Sequence, residues 1–462
     1  MTFQLDTDLT GHHCPDPLRH AFVAKTSAHA GRGSNGPLSP EETHRVWRGQ
    51  QPVTTPETRL AYFHIPFCKT HCSYCGFFQN TSKEQEIARF VDSLEQEIIQ
   101  TGQMAWVQSQ PLSAVYFGGG TPTDLTPEQI IRLGDAIKKH LPLADGVEMT
   151  FESRFTGLDD TKIQACIEAG FNRFSLGLQT FDTFIRRKMS RIDPQEVLLE
   201  RLEHLAKQQG VTTVVDMIFG LPWQTEEHWL KDLELINQTG IHGADLYQLI
   251  VMGQTRMAQS IAKGSMPAPG DTPFKAGLYQ MGVETMQANG WDRLSLSHWG
   301  RPDAEGKVRE RNIYNHHTKA GCEMIPFGCG AGGKVNGHSV MLHRALEPYH
   351  AMVAAGQKPI MGMMAADPQL ALSRVLGAGF DLGRLDLAQL AATTMNSDMG
   401  GDIVSHCRPL FEAWQNNGLA VLDDNSLTLT LAGQFWNVNM NQALNNYLER
   451  YPLNGQQPGQ AA

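Results

Sequence analysis

Three cysteines crowd into the segment Phe63-His64-Ile65-Pro66-Phe67-Cys68-Lys69-Thr70-His71-Cys72-Ser73-Tyr74-Cys75, where Cys68, Cys72 and Cys75 stand in a C-x3-C-x2-C spacing. Three thiolates on one tight loop can hold three irons of a [4Fe–4S] cube, and having only three leaves the fourth iron open to a small-molecule ligand. The rival is a structural zinc knuckle, which needs four closed ligands and would have to recruit His64 or His71. Further features suit a site beside such a loop. Gly118-Gly119-Gly120-Thr121-Pro122 offers bare backbone that a ligand can approach closely. It matches neither the GxxxxGK[ST] nor the GxGxxG pattern of phosphate loops. Glu152, Gln179 and Asp216 each stand in or at the end of an apolar run. Any one alone reads as a satisfied polar group or a cap, but three in equivalent places read as a site.

The elements that position them follow from periodicity. From Leu60 onward, short β-branched or aromatic runs alternate with helical segments, which is the pattern of parallel βα units. Strands are expected at Leu60–Ile65, Ala114–Phe117, Val147–Glu152, Arg173–Gln179, Thr213–Ile218 and Asp245–Ile250. Ile87, Phe90, Val91, Leu94 and Ile98 follow the i, i+3, i+4, i+7, i+11 stripe of a helix packed on a sheet. Further helices are expected near Pro127–His140, Asp159–Ala169, Pro194–Gln209 and Glu226–Gln238. Six strands, each but the last followed by a helix, predict an α/β fold with a partial (β/α)6 barrel. Such a barrel carries its active site at the C-terminal ends of its strands, where the cysteines, the glycines and the three polar residues all fall.

Four segments result. Residues 1–56, rich in Gly, Pro, Ser and His, form an arm or lid; 57–290 form the barrel; 291–364 form a connecting, substrate-covering segment with the Gly-rich stretch Pro326–Gly333. Residues 365–462 read as helices at Leu370–Leu376, Leu385–Leu390 and Leu410–Asn417, then a hairpin of Leu419–Asp423 and Ser426–Leu431, a winged-helix-like pattern. DNA binding is not expected of it, because this segment carries four arginines and no lysine against nine acids, in a chain of net charge −10. A covering or docking role fits better. In 462 residues no run approaches the roughly 18 apolar residues of a membrane span. The opening MTFQLDTDLTGHH has neither a basic nor an apolar leader region, so a cytoplasmic location is expected. Eight cysteines are too few for a disulfide scaffold.

Taken together, AYFHIPFCKTHCSYCGF, YFGGGTPT, FNRFSLGLQTF and VVDMIFGLPWQT resemble the radical S-adenosylmethionine (SAM) enzymes, in the branch of oxygen-independent coproporphyrinogen dehydrogenase. The resemblance covers roughly residues 57–300, and the acidic tail is similar to that branch's C-terminal domain. It implies that Cys68, Cys72 and Cys75 bind the cluster, with Tyr62 beside it. It also implies that Gly119, Gly120, Thr121, Glu152, Gln179, Arg191 and Asp216 bind SAM, Asp216 at the ribose hydroxyls. In that family SAM chelates the open iron and is cleaved reductively to a 5′-deoxyadenosyl radical.

Within the branch the departures are informative. The dehydrogenase carries an extra cysteine two residues after the third ligand, where this chain has Phe77. The heme-chaperone relatives carry an HNxxYW motif, where this chain reads Arg311-Asn312-Ile313-Tyr314-Asn315-His316-His317, without Trp. SYCGFFQN, the His-rich leader and RNIYNHHT most resemble the third group, the anaerobic heme-degrading radical SAM methyltransferases. That resemblance implies two SAM molecules per turnover. The radical from one takes hydrogen from the methyl group of the other, and the resulting carbon adds to a porphyrin meso position before ring opening and iron release. It further implies a flavodoxin-like or flavin reductase electron donor. Heme needs an apolar slot, cations for its propionates and an axial ligand. The candidates are His316, His317, Cys322 and Cys329 as ligands, Cys14 beside His12 and His13 in the leader, and Arg309 and Arg311 for the propionates.

Overall fold

The computed structural model describes residues 5–25, 27, 30, 36–52, 58–395 and 401–453. Twelve strands form one sheet: β1 Arg59–Ile65, β2 Leu112–Gly119, β3 Leu143–Ser153, β4 Arg173–Gln179, β5 Thr212–Phe219, β6 Gly243–Gln248, β7 Asp292–Arg293, β8 His298–Gly300, β9 Glu323–Phe327, β10 Gly332–Val335, β11 His338–Leu342 and β12 Ile360–Met363. Their spatial order is β12-β11-β10-β9-β1-β2-β3-β4-β5-β6-β8-β7. From β9 through β6 every pairing is parallel, and the additions on both flanks are antiparallel. The six expected strands are all present, within four residues of the expected ends.

Helices α1 Glu84–Gly102, α2 Pro127–His140, α3 Asp160–Ala169, α4 Gln195–Ala206 and α5 Glu226–Gln238 connect β1 to β6, as the βα pattern requires. Their limits are set chemically. Thr126 and Gln129 close a capping box ahead of α2, whose first residue is Pro127. α3 starts on the Asp159 carboxylate and stops at Gly170, with φ 101°. The helices cover one face of the sheet, where Phe63 stacks between Phe117 and Phe327 at 4.8 and 4.5 Å. Buried on both faces, β4 shows no solvent-exposed position.

The structure extends the sequence reading in three places. The strand β6 is followed by two helices, Arg256–Ala262 and α6 Thr272–Ala288. The Gly-rich connecting segment supplies β9 to β12, and β9 is a seventh parallel strand, held beside β1 by the buried Arg59–Glu323 pair at 2.8 Å. The tail forms a three-stranded wing, Arg384–Asp386, Ala420–Leu422 and Ser426–Leu429, against four longer helices. Leu385–Leu390, expected as helix, divides into the wing strand Arg384–Asp386 and the helix Leu387–Met395, because residues 384–386 pair with 426–428.

Residues 5–25 are fastened to that tail. The Trp414 indole donates to the Leu9 carbonyl at 2.8 Å, the Trp436 indole to the Pro17 carbonyl at 3.0 Å, and Leu9, Leu18, Ala21 and Phe22 are buried. One continuous apolar core therefore runs from Leu9 through the barrel to Leu448. Among the described residues no helix is long and apolar enough to cross a membrane.

Candidate active site

Alternation along the strands decides which residues face the inside of the barrel. Tyr62 and His64 of β1, Tyr116 and Gly118 of β2, Thr150 and Glu152 of β3, Arg173 and Ser175 of β4 and Asp216 of β5 share the face away from the helices. The cysteine loop leaves β1 at its C-terminal end and passes over this face. Each of its sulfurs receives a hydrogen bond. The Thr121 hydroxyl donates to Cys68 Sγ at 3.2 Å, Arg154 Nη2 to Cys72 Sγ at 3.1 Å, and the Phe77 amide to Cys75 Sγ at 3.3 Å. Donors aimed at three separate sulfurs suit thiolates carrying negative charge, as the ligands of an iron–sulfur cube do. Among the described residues no three His, Cys, Asp or Glu side chains converge where one ion could sit. A cube takes one thiolate per iron and asks for spread, not convergence.

The glycines hold the segment close to its neighbours. Gly120 and Thr121 donate to the carbonyls of Ile65 and Phe67 at 2.8 and 2.7 Å, stitching this segment to the start of the cysteine loop. A Cβ at Gly118 would strike the Glu152 carboxylate, one at Gly119 the His64 ring, and one at Gly120 the Ile65 and Phe67 backbone. Their bareness lets protein parts close on one another, and Gly119 at φ 100° also needs its conformational freedom.

Glu152 accepts from the Gly119 amide at 3.2 Å. Burial raises its carboxyl to about 7, against the lowering by that bond, by Arg191 and by Arg154. Asp216 is raised to about 8 by burial, by Asp245 and by Glu152, and accepts from the Ser175 hydroxyl at 3.3 Å. Gln179, at φ 67°, turns back over Gly177. With its amide nitrogen toward the surrounding acceptors it lies 2.8 Å from the Gly177 carbonyl and 3.2 Å from the Tyr74 hydroxyl. Arg191 donates to the same two groups at 3.2 and 2.9 Å, and its buried Nε has no partner. Tyr62 lies 3.0 Å from His64 Nδ1 through its hydroxyl, and stacks with Tyr116 and Tyr314, both at 6.3 Å. Burial and Arg344 lower His64 to about 4, which keeps it neutral.

The structure thus brings Tyr62, Gly119, Gly120, Thr121, Glu152, Gln179, Arg191 and Asp216 to one end of the barrel with the three cysteines. Sequence reading missed Arg154, Tyr74 and Tyr116 and named His64 only as a ligand for the rival zinc knuckle, although Tyr116 and His64 face the barrel by the two-residue period of their strands. It also missed a buried network below Asp216. Across the β5–β6 register stands Asp245, whose Oδ2 is 2.7 Å from His298 Nδ1. His298 Nε2 is 3.3 Å from Glu310, which pairs with Arg173 at 3.0 Å.

Of the heme candidates only His316, His317 and Cys322 are brought together. Cys329 is fully buried in the core, and burial raises its thiol to about 12. Arg309 donates to the Val211 carbonyl at 3.1 Å and Arg311 to the Gly146 carbonyl at 3.0 Å. Those carbonyls lie toward the N-terminal ends of β5 and β3, opposite the cysteines. His316 stands 3.8 Å from Asp381, and His317 Nδ1 lies 3.7 Å from Cys322 Sγ, on a short helix packed against Leu370–Leu382. Cys14, His12 and His13 sit on the strap held by the tail.

A parallel sheet of this topology, with a three-cysteine loop at its C-terminal mouth, defines a radical SAM enzyme. The model of the Radical SAM superfamily matches residues 62–236. The chain belongs to this superfamily, in the branch of oxygen-independent coproporphyrinogen oxidase, and its cofactors are a [4Fe–4S] cluster and SAM. It is 36% identical over 417 residues to anaerobilin synthase of Escherichia coli O157:H7, covering 89% of this chain and 90% of that one. It is 31% identical over 281 residues to the heme chaperone HemW of Bacillus subtilis (strain 168), covering 60% and 72%. The structure of coproporphyrinogen III oxidase (HemN) from Escherichia coli has the same fold, with TM-score 0.73 and 21% identity over 90% of this chain and 95% of that one.

Proposed function

We propose that this protein degrades heme without oxygen, moving a methyl-derived carbon from SAM to a porphyrin meso carbon, opening the ring to a linear tetrapyrrole and releasing the iron. The observation that carries this reading is extent. Likeness to anaerobilin synthase spans 89% of the chain, taking in regions beyond the barrel, whereas likeness to the heme chaperone covers 60%. Phe77, in place of the dehydrogenase's additional cysteine, agrees with it.

When bound, the cluster and SAM supply a carbon-centred radical by reductive cleavage. In this reading the chain's own residues do the following. Cys68, Cys72 and Cys75 hold the cluster, and the Thr121, Arg154 and Phe77 donors ease its reduction by stabilising charge on sulfur. Glu152 and Asp216, their carboxyls raised by burial, ionise more fully when the cationic groups of SAM arrive. Arg191 and Gln179 fix Tyr74, and so the turn between Cys72 and Cys75. An external donor of the flavodoxin or flavin reductase kind provides electrons, heme is the substrate, and the location is cytoplasmic.

The test is anaerobic turnover of the reconstituted chain with heme, SAM and a reductant. Loss of the Soret band with a linear tetrapyrrole in the mass spectrum is expected. A stable, unmodified heme complex would make the protein a chaperone. Inertness toward heme with decarboxylation of coproporphyrinogen would make it a dehydrogenase.

A further inference from the structure

Trp223 holds φ 64°, a left-handed conformation that a bulky L residue rarely adopts. It follows Leu221 and Pro222 in the turn after β5, and Gln224 fastens that turn. The Gln224 Oε1 accepts from the Gly220 amide at 2.7 Å and the Leu221 amide at 3.1 Å. The indole meets Phe184 edge to face, with centroids 5.9 Å apart. Above both rings stands the Lys188 ammonium, 5.3 Å from the Phe184 centroid and 5.6 Å from that of Trp223.

The plain role for Trp223 is to cover the small apolar cluster of Ile185, Met189, Leu221, Leu249 and Met257 beneath it. That role leaves Phe184 unexplained, since its ring is 53% exposed beside an exposed lysine. It also leaves the strain unexplained, because glycine would adopt this backbone freely. The same apolar cluster takes in Tyr74 of the cysteine loop, and Ser73 accepts from the Met257 amide at 2.7 Å. The pair of rings therefore borders the mouth that holds the cysteines. Phe77, Ile192 and Met252, all exposed, lie on neighbouring loops of that mouth. Two aromatic rings at right angles with a cation over them complement the face, edge and carboxylate of a flat, aromatic, anionic molecule.

We propose that Phe184, Trp223 and Lys188 form the outer contact for the porphyrin, one ring lying against the macrocycle, the other meeting its edge, and the ammonium pairing a propionate. This rests on the heme reading above. The alternative occupant of such a face, an acidic electron-donor protein, is an outcome of the test.

The test is anaerobic titration of the full chain with hemin, followed by Soret absorbance, and with hemin whose propionates are esterified. Trp223→Gly removes the ring and relieves the backbone but uncovers the apolar cluster, so its circular dichroism is compared with the parent's before binding is read, and Lys188→Gln tests the same face from an exposed position. The hemin Kd of Trp223→Gly should rise about tenfold. Lys188→Gln should weaken free hemin several-fold and leave the diester unaffected. Parental hemin affinity in both variants, in a protein that still consumes heme, would overturn this inference alone. If instead both variants bind hemin normally but slow cluster reduction by a flavodoxin, the face belongs to the donor and the proposal fails. A parent chain that neither binds nor consumes heme would overturn the functional reading and this inference with it.

Discussion

Three donors on three sulfurs make specific demands at the scale of single residues. Replacing Cys68, Cys72 or Cys75 with Ala should remove the iron–sulfur absorbance after reconstitution and abolish SAM cleavage, while Cys166→Ala and Cys407→Ala should do neither. Thr121→Val is more discriminating. It removes the hydroxyl bonded to Cys68 at 3.2 Å, so the iron content should stay while the cluster potential falls by about 40 mV, the one-electron equivalent of roughly 1 kcal/mol. An unchanged potential in a redox titration would show that this bond does not tune the cluster. The carboxylates lead to a pH dependence. Glu152 is raised to about 7 and Asp216 to about 8, so the protein without SAM carries protons there that a cationic ligand must displace. SAM affinity should therefore rise with pH from 6 to about 8.5 and then level off. Asp216→Ala and Glu152→Ala should keep the iron but weaken SAM binding by about 1–3 kcal/mol each. Calorimetry across this range checks both statements, and a flat profile in the parent would contradict them.

Elements carry the next demand, through the network that ties β4, β6, β8 and the segment before residue 313. His298 is raised to about 9, where its own burial opposes the shift and Asp245 and Glu310 produce it. A folded-state value above the ordinary 6.5 means stability that is fully present below 6.5 and lost as pH rises through 9. The difference in stability between the parent and His298→Gln should thus be largest near pH 6, of order 3 kcal/mol, and shrink toward pH 10. Denaturant unfolding at several pH values measures it, and a difference growing with pH would refute the pairing. These elements also show what a sequence discloses. The strands β1 to β6 and helices α1 to α5 were legible because each keeps an unbroken period. The strand β9 was not, since Pro326 and the glycines after it read as a loop, and only pairing with β1 makes it a strand. Glu152, Gln179 and Asp216 were legible as strand ends. Arg154 was not, because its reach to Cys72 depends on how the loop after β3 turns. The bonds of Arg309 and Arg311 to backbone carbonyls at the base of the barrel were not legible either, because they depend on where that segment folds back.

For the whole molecule, the continuous core makes the strap a structural part of the tail. Four apolar side chains of residues 5–25 are buried, and two tryptophan indoles donate to strap carbonyls. Removing residues 1–25 should cost several kcal/mol, at about 1.5–3 kcal/mol for each large side chain uncovered, and should expose the last helices to proteolysis. A truncated chain with the parent's midpoint and protease resistance would show the strap to be dispensable. The central claim concerns carbon, and a labelled methyl group follows it most directly. With SAM deuterated at the methyl group, anaerobic turnover on heme should give 5′-deoxyadenosine carrying one deuterium and a tetrapyrrole heavier by a labelled one-carbon unit. Unlabelled 5′-deoxyadenosine together with a product of unchanged carbon count would contradict it, whatever happened to the heme absorbance.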